Sequence, residues 1–167
     1  MSVAVIILGI IAAIVIPNFS STDYSRLDLA AQEYADAIRY ARSQAMVLRA
    51  PMGFDQNAAQ KRIRLFRPDT GSTPWNPIYD VYHPVSKKLY DIDLDTHPFA
   101  RVDSVSLTSS YRGSCNDVKT VYFDANGIPR CIDPETVLLD EFDLTLTLDN
   151  ESRIVSLQRL TGQVSVQ

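Results

Sequence analysis

The chain has 167 residues, enough for one compact domain with a helical stalk. Apolar residues make up 46% and the net charge is −4, both ordinary for a globular protein. Six glycines leave little material for phosphate-cradling loops, and two cysteines outside any Cys-x-x-Cys unit exclude a redox motif.

The first element is an apolar run, residues 3–16, with no charge before Asp23. As a helix it would span about 21 Å at 1.5 Å per residue, somewhat short of the roughly 20 residues that a bilayer core needs. A secretory signal peptide would require a basic segment ahead of the run. A buried core helix would need a large protein around it. A membrane helix lacking its first few residues is the third reading. Pro17 lies within the helical pattern and is expected to bend the helix rather than end it.

From Leu27 the apolar positions fall at alternating steps of four and three: Leu27, Ala31, Tyr34, Ile38, Ala41, Ala45 and Leu48. That spacing predicts one stripe along a helix, and its alanines imply a close approach to the surface beneath. Pro51 is expected to stop the helix at Ala50.

Beyond Pro51 the period changes to two. Short strands are predicted at residues 62–66, 78–82, 89–94, 102–107 and 118–123, the last followed by the turn Asp124-Ala125-Asn126-Gly127. Residues 70–77 read as a loop. Residues 142–148 alternate cleanly and form a hairpin with 154–160 across residues 149–152. Thr161-Gly162 turns the chain into Val164-Ser165-Val166. One long helix followed by antiparallel strands predicts an α+β fold, the helix packed on a β-sheet or β-sandwich head. The expected divisions are a membrane-inserted helix half at 1–22, an amphipathic half at 23–50 and a β-rich head at 51–167.

No catalytic constellation stands out. His83 and His97 each precede a proline and lack the spacing of a metal pair. Asp91, Asp93 and Asp95 alternate in a way similar to the opening of a calcium loop. Thr96 and Val102 stand where such a loop wants Gly and Glu, so a strand with one solvated face is preferred. No enzyme, cofactor or metal is expected.

The residues from Leu8 to Phe19 resemble the N-terminal helix of type IV pilins and type II secretion pseudopilins. The likeness rests on Leu8-Gly9-Ile10, Ala12-Ala13, Ile16-Pro17 and Phe19, with Val5 in the same run. In the head, Ala41-Arg42-Ser43-Gln44-Ala45, residues 122–127 and residues 160–164 are similar to the H-type minor pseudopilins and related minor pilins. The cysteine pair framing the turn looks more like the minor pilins of mannose-sensitive-haemagglutinin-type pili. The resemblance implies a structural minor pilin that takes part in type IV pilus assembly, or an H-type pseudopilin of a secretion system. Its partners would be other pilin subunits, met through the N-terminal helix, and inner-membrane lipid before assembly, with the head in the periplasm. The family also implies a basic leader, a Gly, and a Phe-first helix carrying a Glu. Met1 falls just after where that Glu belongs, so a start upstream of Met1 is expected, with leader cleavage and N-methylation belonging to the longer form. For an exported chain, Cys115 and Cys131 are expected to pair.

Charge is unevenly spread. Residues 39–67 are net +6, between segments of net −3 and −7. Arg39, Arg42, Arg49, Lys61, Arg62, Arg64 and Arg67 therefore form a candidate nucleic-acid patch. Phe54 and Phe66 are the phenylalanines within that span that could stack bases, a thin set, so a DNA-binding pilin ranks behind complementary faces of neighbouring subunits.

Overall fold

The computed structural model describes residues 17–101, 104–112, 115, 119–134 and 137–167. Helix α1 runs over Pro17–Leu48 and, among the described residues, is followed by strands and a short 3-10 turn at Ala58–Gln60. The strands are β1 (Met52–Asn57), β2 (Arg62–Asp69), β3 (Asn76–Ile78), β4 (Asp91–Asp93), β5 (Ser106–Arg112), β6 (Thr120–Phe123), β7 (Pro129–Cys131), β8 (Glu141–Leu148), β9 (Glu151–Gln158) and β10 (Val164–Val166). The α+β class expected from the sequence is the observed one.

Two antiparallel sheets form. The first has the order β3-β2-β1-β6-β7, and β4 pairs with β2 on the same edge as β3. The second has the order β10-β9-β8-β5. Helix α1 packs on strands of both.

The helix can do this because its buried face is small. Leu27, Ala30, Ala31, Tyr34, Ala35, Ala37, Ile38, Ala41 and Ala45 are fully buried. Six of these nine are alanine, so both sheets approach the helix backbone closely. Phe54 from the first sheet meets Phe142 from the second edge-on at 5.3 Å, and Phe123 lies 6.3 Å from Phe54. Such ring pairs add about 0.5–1.5 kcal/mol beyond their burial.

Leu48 departs from the expected stripe, being 55% exposed. The helix ends two residues earlier than Pro51 suggested. Arg49 takes a left-handed backbone (φ 50°) and Ala50 N–H donates to Ala45 O at 3.2 Å, so Leu48 sits past the last turn covered by the sheets.

β1 was not expected from its sequence, Met-Gly-Phe-Asp-Gln-Asn. It is central, paired on one side with β2 and on the other with β6. Gly53 faces Phe66 and Tyr122 across the two ladders. A Cβ there would overlap the Phe66 ring and the Val121 carbonyl oxygen. The missing side chain lets Phe66, Tyr122 and Ile132 close a second small cluster on the sheet's outer face, with Trp75 and Tyr79 against it. β7 was also unexpected.

The β8–β9 hairpin is tighter than expected. β9 begins at Glu151, leaving Asp149-Asn150 as a two-residue turn with Asp149 at φ 53°. Phe142, Leu144, Leu146 and Leu148 of β8 face the core. Cys115 and Cys131 are joined as a disulfide, their Cα atoms 5.5 Å apart.

Val5, Leu8, Gly9, Ile10, Ala12, Ala13 and Ile16 lie outside the described residues, as do Val102 and Val118 at two expected strand starts. Pro17 and Phe19 fall on the first turn of α1 as described, so the bend expected at Pro17 lies at the edge of the described residues. No helix among the described residues is long and apolar enough to cross a membrane.

Ile38→Ala should lower stability by about 2–5 kcal/mol, since a buried methylene-rich side chain leaves a cavity. Gln32→Ala and Leu48→Ala, both on exposed positions, should stay within about 0.5 kcal/mol. Thermal unfolding of the three variants of the head measures this; equal shifts would mean that the helix face is misassigned.

Candidate assembly interface

The three head segments that carry the family likeness meet at one point. Arg42 comes from the helix, Gly127 from the β6–β7 turn and Gly162 from the β9–β10 turn. Arg42 Nε donates to the Gly127 carbonyl at 3.3 Å. Gly127 and Gly162 both have left-handed backbones, φ 76° and 62°. A Cβ on Gly162 would overlap the Gly127 carbonyl oxygen and stand 2.9 Å from Arg42 Nε. One guanidinium thus ties the turns of both sheets to the helix. Nearby, Arg39 donates to Asp36 at 2.7 Å and to the Val164 carbonyl at 3.1 Å.

Asp124 builds the β6–β7 turn. Its Oδ1 accepts from Asn126 N–H at 2.9 Å and Ile128 N–H at 3.1 Å, and its Oδ2 accepts from Arg130 Nε at 3.0 Å. Burial pushes this carboxyl up. The Ile128 amide, the Arg130 guanidinium and the Asn126 amide outweigh burial and hold it below the ordinary aspartate value of 3.8.

The structure does not gather the basic run into a nucleic-acid surface. Lys61 pairs with Asp95 at 2.9 Å, Arg62 with Asp91, Arg64 with Asp55 at 2.5 Å, and Arg67 with Asp80. Arg64 also lies over the Tyr79 ring at 4.0 Å. Arg39 and Arg42 are engaged as above, and Arg49 is exposed at the end of the helix. The cations are spread along the helix, the 3-10 turn and β2, and most answer a carboxylate of the same head. Phe54 and Phe66 are both fully buried and offer no stacking face.

The same pairs dismantle the calcium reading. Asp91 binds Arg62, Asp95 binds Lys61, and Asp93 Oδ1 accepts from Asp95 N–H at 3.0 Å. No group of acids, histidines and cysteines among the described residues is placed to hold a metal.

The histidines cap turns. His83 Nδ1 accepts from the N–H of Val85 and of Ser86, each at 3.2 Å. His97 Nδ1 accepts from Phe99 N–H at 3.4 Å and Ala100 N–H at 3.0 Å. A ring accepting at Nδ1 carries its proton on Nε2, which leaves no lone pair there for a metal. Both rings line a groove of about 500 Å³ with Glu33, Lys88, Tyr90 and Phe99. In the sequence this groove is marked by the repeated His-Pro-x-x unit at 83–86 and 97–100.

Comparison with known proteins decides the family. The family described as type II transport protein GspH matches residues 30–161. The chain belongs to the GspH family. Its members are structural subunits of the pilin and pseudopilin class, and so is this chain. Among solved structures, this GspH-family head is similar to the type IV minor pilin FimU of Pseudomonas aeruginosa. The two share 18% identity over 87% of this chain and 91% of that one, with a TM-score of 0.56. It is similar to the minor pseudopilin EpsH of Vibrio cholerae at 11% identity, over 85% of this chain and 96% of that one, with a TM-score of 0.57. At such identities the likeness is one of fold. No curated protein matches the sequence.

Two outcomes follow from the junction. Gly162→Ala should destabilise the head by more than about 1 kcal/mol, because the backbone is left-handed and a carbonyl fills the space; chemical denaturation measures it. Because the Asp124 carboxyl is held low in the folded head, its stabilising contribution is present above the unfolded value and is lost as pH falls through the folded one. Asp124→Asn should therefore lose less stability than the unaltered head on acidification below about pH 4, read as melting temperature against pH.

Proposed function

We propose that this chain is a minor pilin-type subunit whose work is assembly, with the helix as its filament element and the head as its periplasmic part. The observation that carries this is the continuity of α1. The helix enters the described structure at Pro17, directly after the apolar run, and from Asp23, where burial is described, its first fully buried residue is Leu27. In this reading residues 1–22 sit in the inner membrane before assembly, 23–50 anchor the head, and 51–167 form it. On assembly the apolar helix exchanges lipid for the helices of neighbouring subunits, where packing of small and branched side chains replaces lipid contact.

A role in a secretion pseudopilus is the second reading, favoured by the match to the GspH family across residues 30–161. Both readings assign the head no catalysis: each titratable cluster described above is spent on holding turns or pairing charges. The DNA-binding alternative needs unpaired clustered cations, and Lys61, Arg62, Arg64 and Arg67 are paired.

The test is to express the chain in cells that assemble the filament, beside a variant with Ile10→Lys in the apolar run. The unaltered chain should fractionate with the inner membrane and enter sheared filaments; the variant should do both poorly, because an unpaired charge in lipid is costly. Absence of the unaltered chain from both fractions would overturn the reading. The isolated head should give no salt-sensitive shift of DNA.

A further inference from the structure

Between β3 and β4 the chain forms a small hairpin that neither sheet requires. Tyr82 and Leu89 pair across it. His83 N–H donates to the Lys88 carbonyl at 2.8 Å, Lys87 N–H to the His83 carbonyl at 3.1 Å, and Tyr90 N–H to the Val81 carbonyl at 2.7 Å. The inner face is conventional: Val81 and Tyr90 are buried, and Tyr90 stacks on Tyr40 of α1 at 5.2 Å. Burial, with the charges of Glu33 and Asp36 nearby, pushes the Tyr90 hydroxyl up to about 12. The Tyr90 carbonyl accepts from Leu65 N–H at 3.0 Å, which fastens the hairpin to β2.

The outer face breaks the pattern. A hairpin with one face on the core normally alternates apolar inside and polar outside. Here the cross-strand pair on the outside is Tyr82 and Leu89, 57% and 50% exposed, and Val85 at the tip is 83% exposed. The tip is held rigid by the two amides that donate to His83 Nδ1 and by the His83 ring against Tyr90, 4.9 Å between centroids. A stiff, exposed apolar surface binds with little ordering cost. Lys87 stands beside it and enters no ion pair among the described residues, whereas the cations of β2 are neutralised within the head. Lys88, opposite His83, belongs to the other face and lines the groove with Glu33.

We infer that the outer face of this hairpin, Tyr82, Val85 and Leu89 with Lys87 beside them, is the head's docking surface for a neighbouring pilin-class subunit. That neighbour presents an apolar patch bordered by carboxylates. The inference rests on the filament reading above and extends it from the helix to the head. The unpaired Lys87 specifies an acidic group on the partner's rim. The hairpin's seat beside Glu33 and Tyr40, midway along α1, sets it outside the helix-to-helix contact.

The experiment places a photo-crosslinking phenylalanine analogue at Val85 in the full-length chain, in cells that assemble the filament. The expected result is an adduct whose peptides identify a different subunit bearing a pilin-type N-terminal helix. Tyr82→Ser with Leu89→Ser should cut that adduct roughly tenfold while leaving the melting temperature of the head unchanged. Lys87→Asn removes the charge, keeps a residue tolerant of the left-handed backbone at 87 (φ 57°), and should also lower the adduct yield. Tyr90→Ser, on the inner face, should instead lower the melting temperature. An adduct with lipid, with a second copy of this chain or with a protein outside the pilin class would overturn the inference, as would no adduct or an undiminished one in both variants. Absence of the unaltered chain from filaments would take down the filament reading itself; its presence there with an indifferent hairpin would remove this inference alone.

Discussion

The close approach between an alanine-lined helix face and two sheets is the constraint on which this head depends. Six alanines on that face leave the helix backbone as the surface against which both sheets lie. Larger side chains at Ala30, Ala31, Ala35 or Ala37 would push a sheet away, and overpacking of a filled core typically costs about 1–3 kcal/mol. The volume that the alanines leave is taken by rings from the strands, with Phe54 and Phe142 meeting across the gap between the sheets. The chain thus places bulk on the sheets and smoothness on the helix.

Arg42 completes this arrangement at the far end of the helix. Two turns, one from each sheet, need left-handed glycines to come near each other, and the guanidinium bonds to the carbonyl between them. Neither turn alone would explain the run Ala41-Arg42-Ser43-Gln44-Ala45 in a helix end. The run is read correctly only when Gly127 and Gly162 are seen beside it.

Electrostatics in the head are local rather than collective. The basic stretch at 39–67 looks like a field when charges are counted along the chain. In space Asp55, Asp80, Asp91 and Asp95 come from other strands and loops to meet it. Exposed pairs of this kind contribute about 0–1 kcal/mol each, so their larger effect is on register and on surface potential. Among the described residues Arg49 and Lys87 enter no ion pair, and Lys87 leaves a small positive surface beside the apolar face of the 81–90 hairpin. A subunit whose task is to fit its neighbours needs such a surface more than it needs a reactive centre.

The sequence by itself determined the long helix, most of its buried face, the β8–β9 hairpin, the α+β class and the family, because these rest on periodicity and on local motifs. Leu27 to Ala45 repeat with the helix, and Phe142 to Leu148 alternate with the strand, whatever surrounds them. Tertiary structure alone decided β1, which is polar in sequence and yet central. Its pairing with β2 and β6 satisfies the backbone on both edges, and Gln56 is buried there although its side chain advertises a loop. It also decided where the helix stops being covered, leaving Leu48 exposed, and which carboxylate answers Arg62, Arg64 and Arg67, since those partners lie 9 to 29 residues apart. The outer face of the 81–90 hairpin belongs to the same class. Tyr82 and Leu89 read as ordinary strand residues until the fold shows which side is already filled by Val81 and Tyr90, because alternation marks two faces and only packing says which of them meets the core.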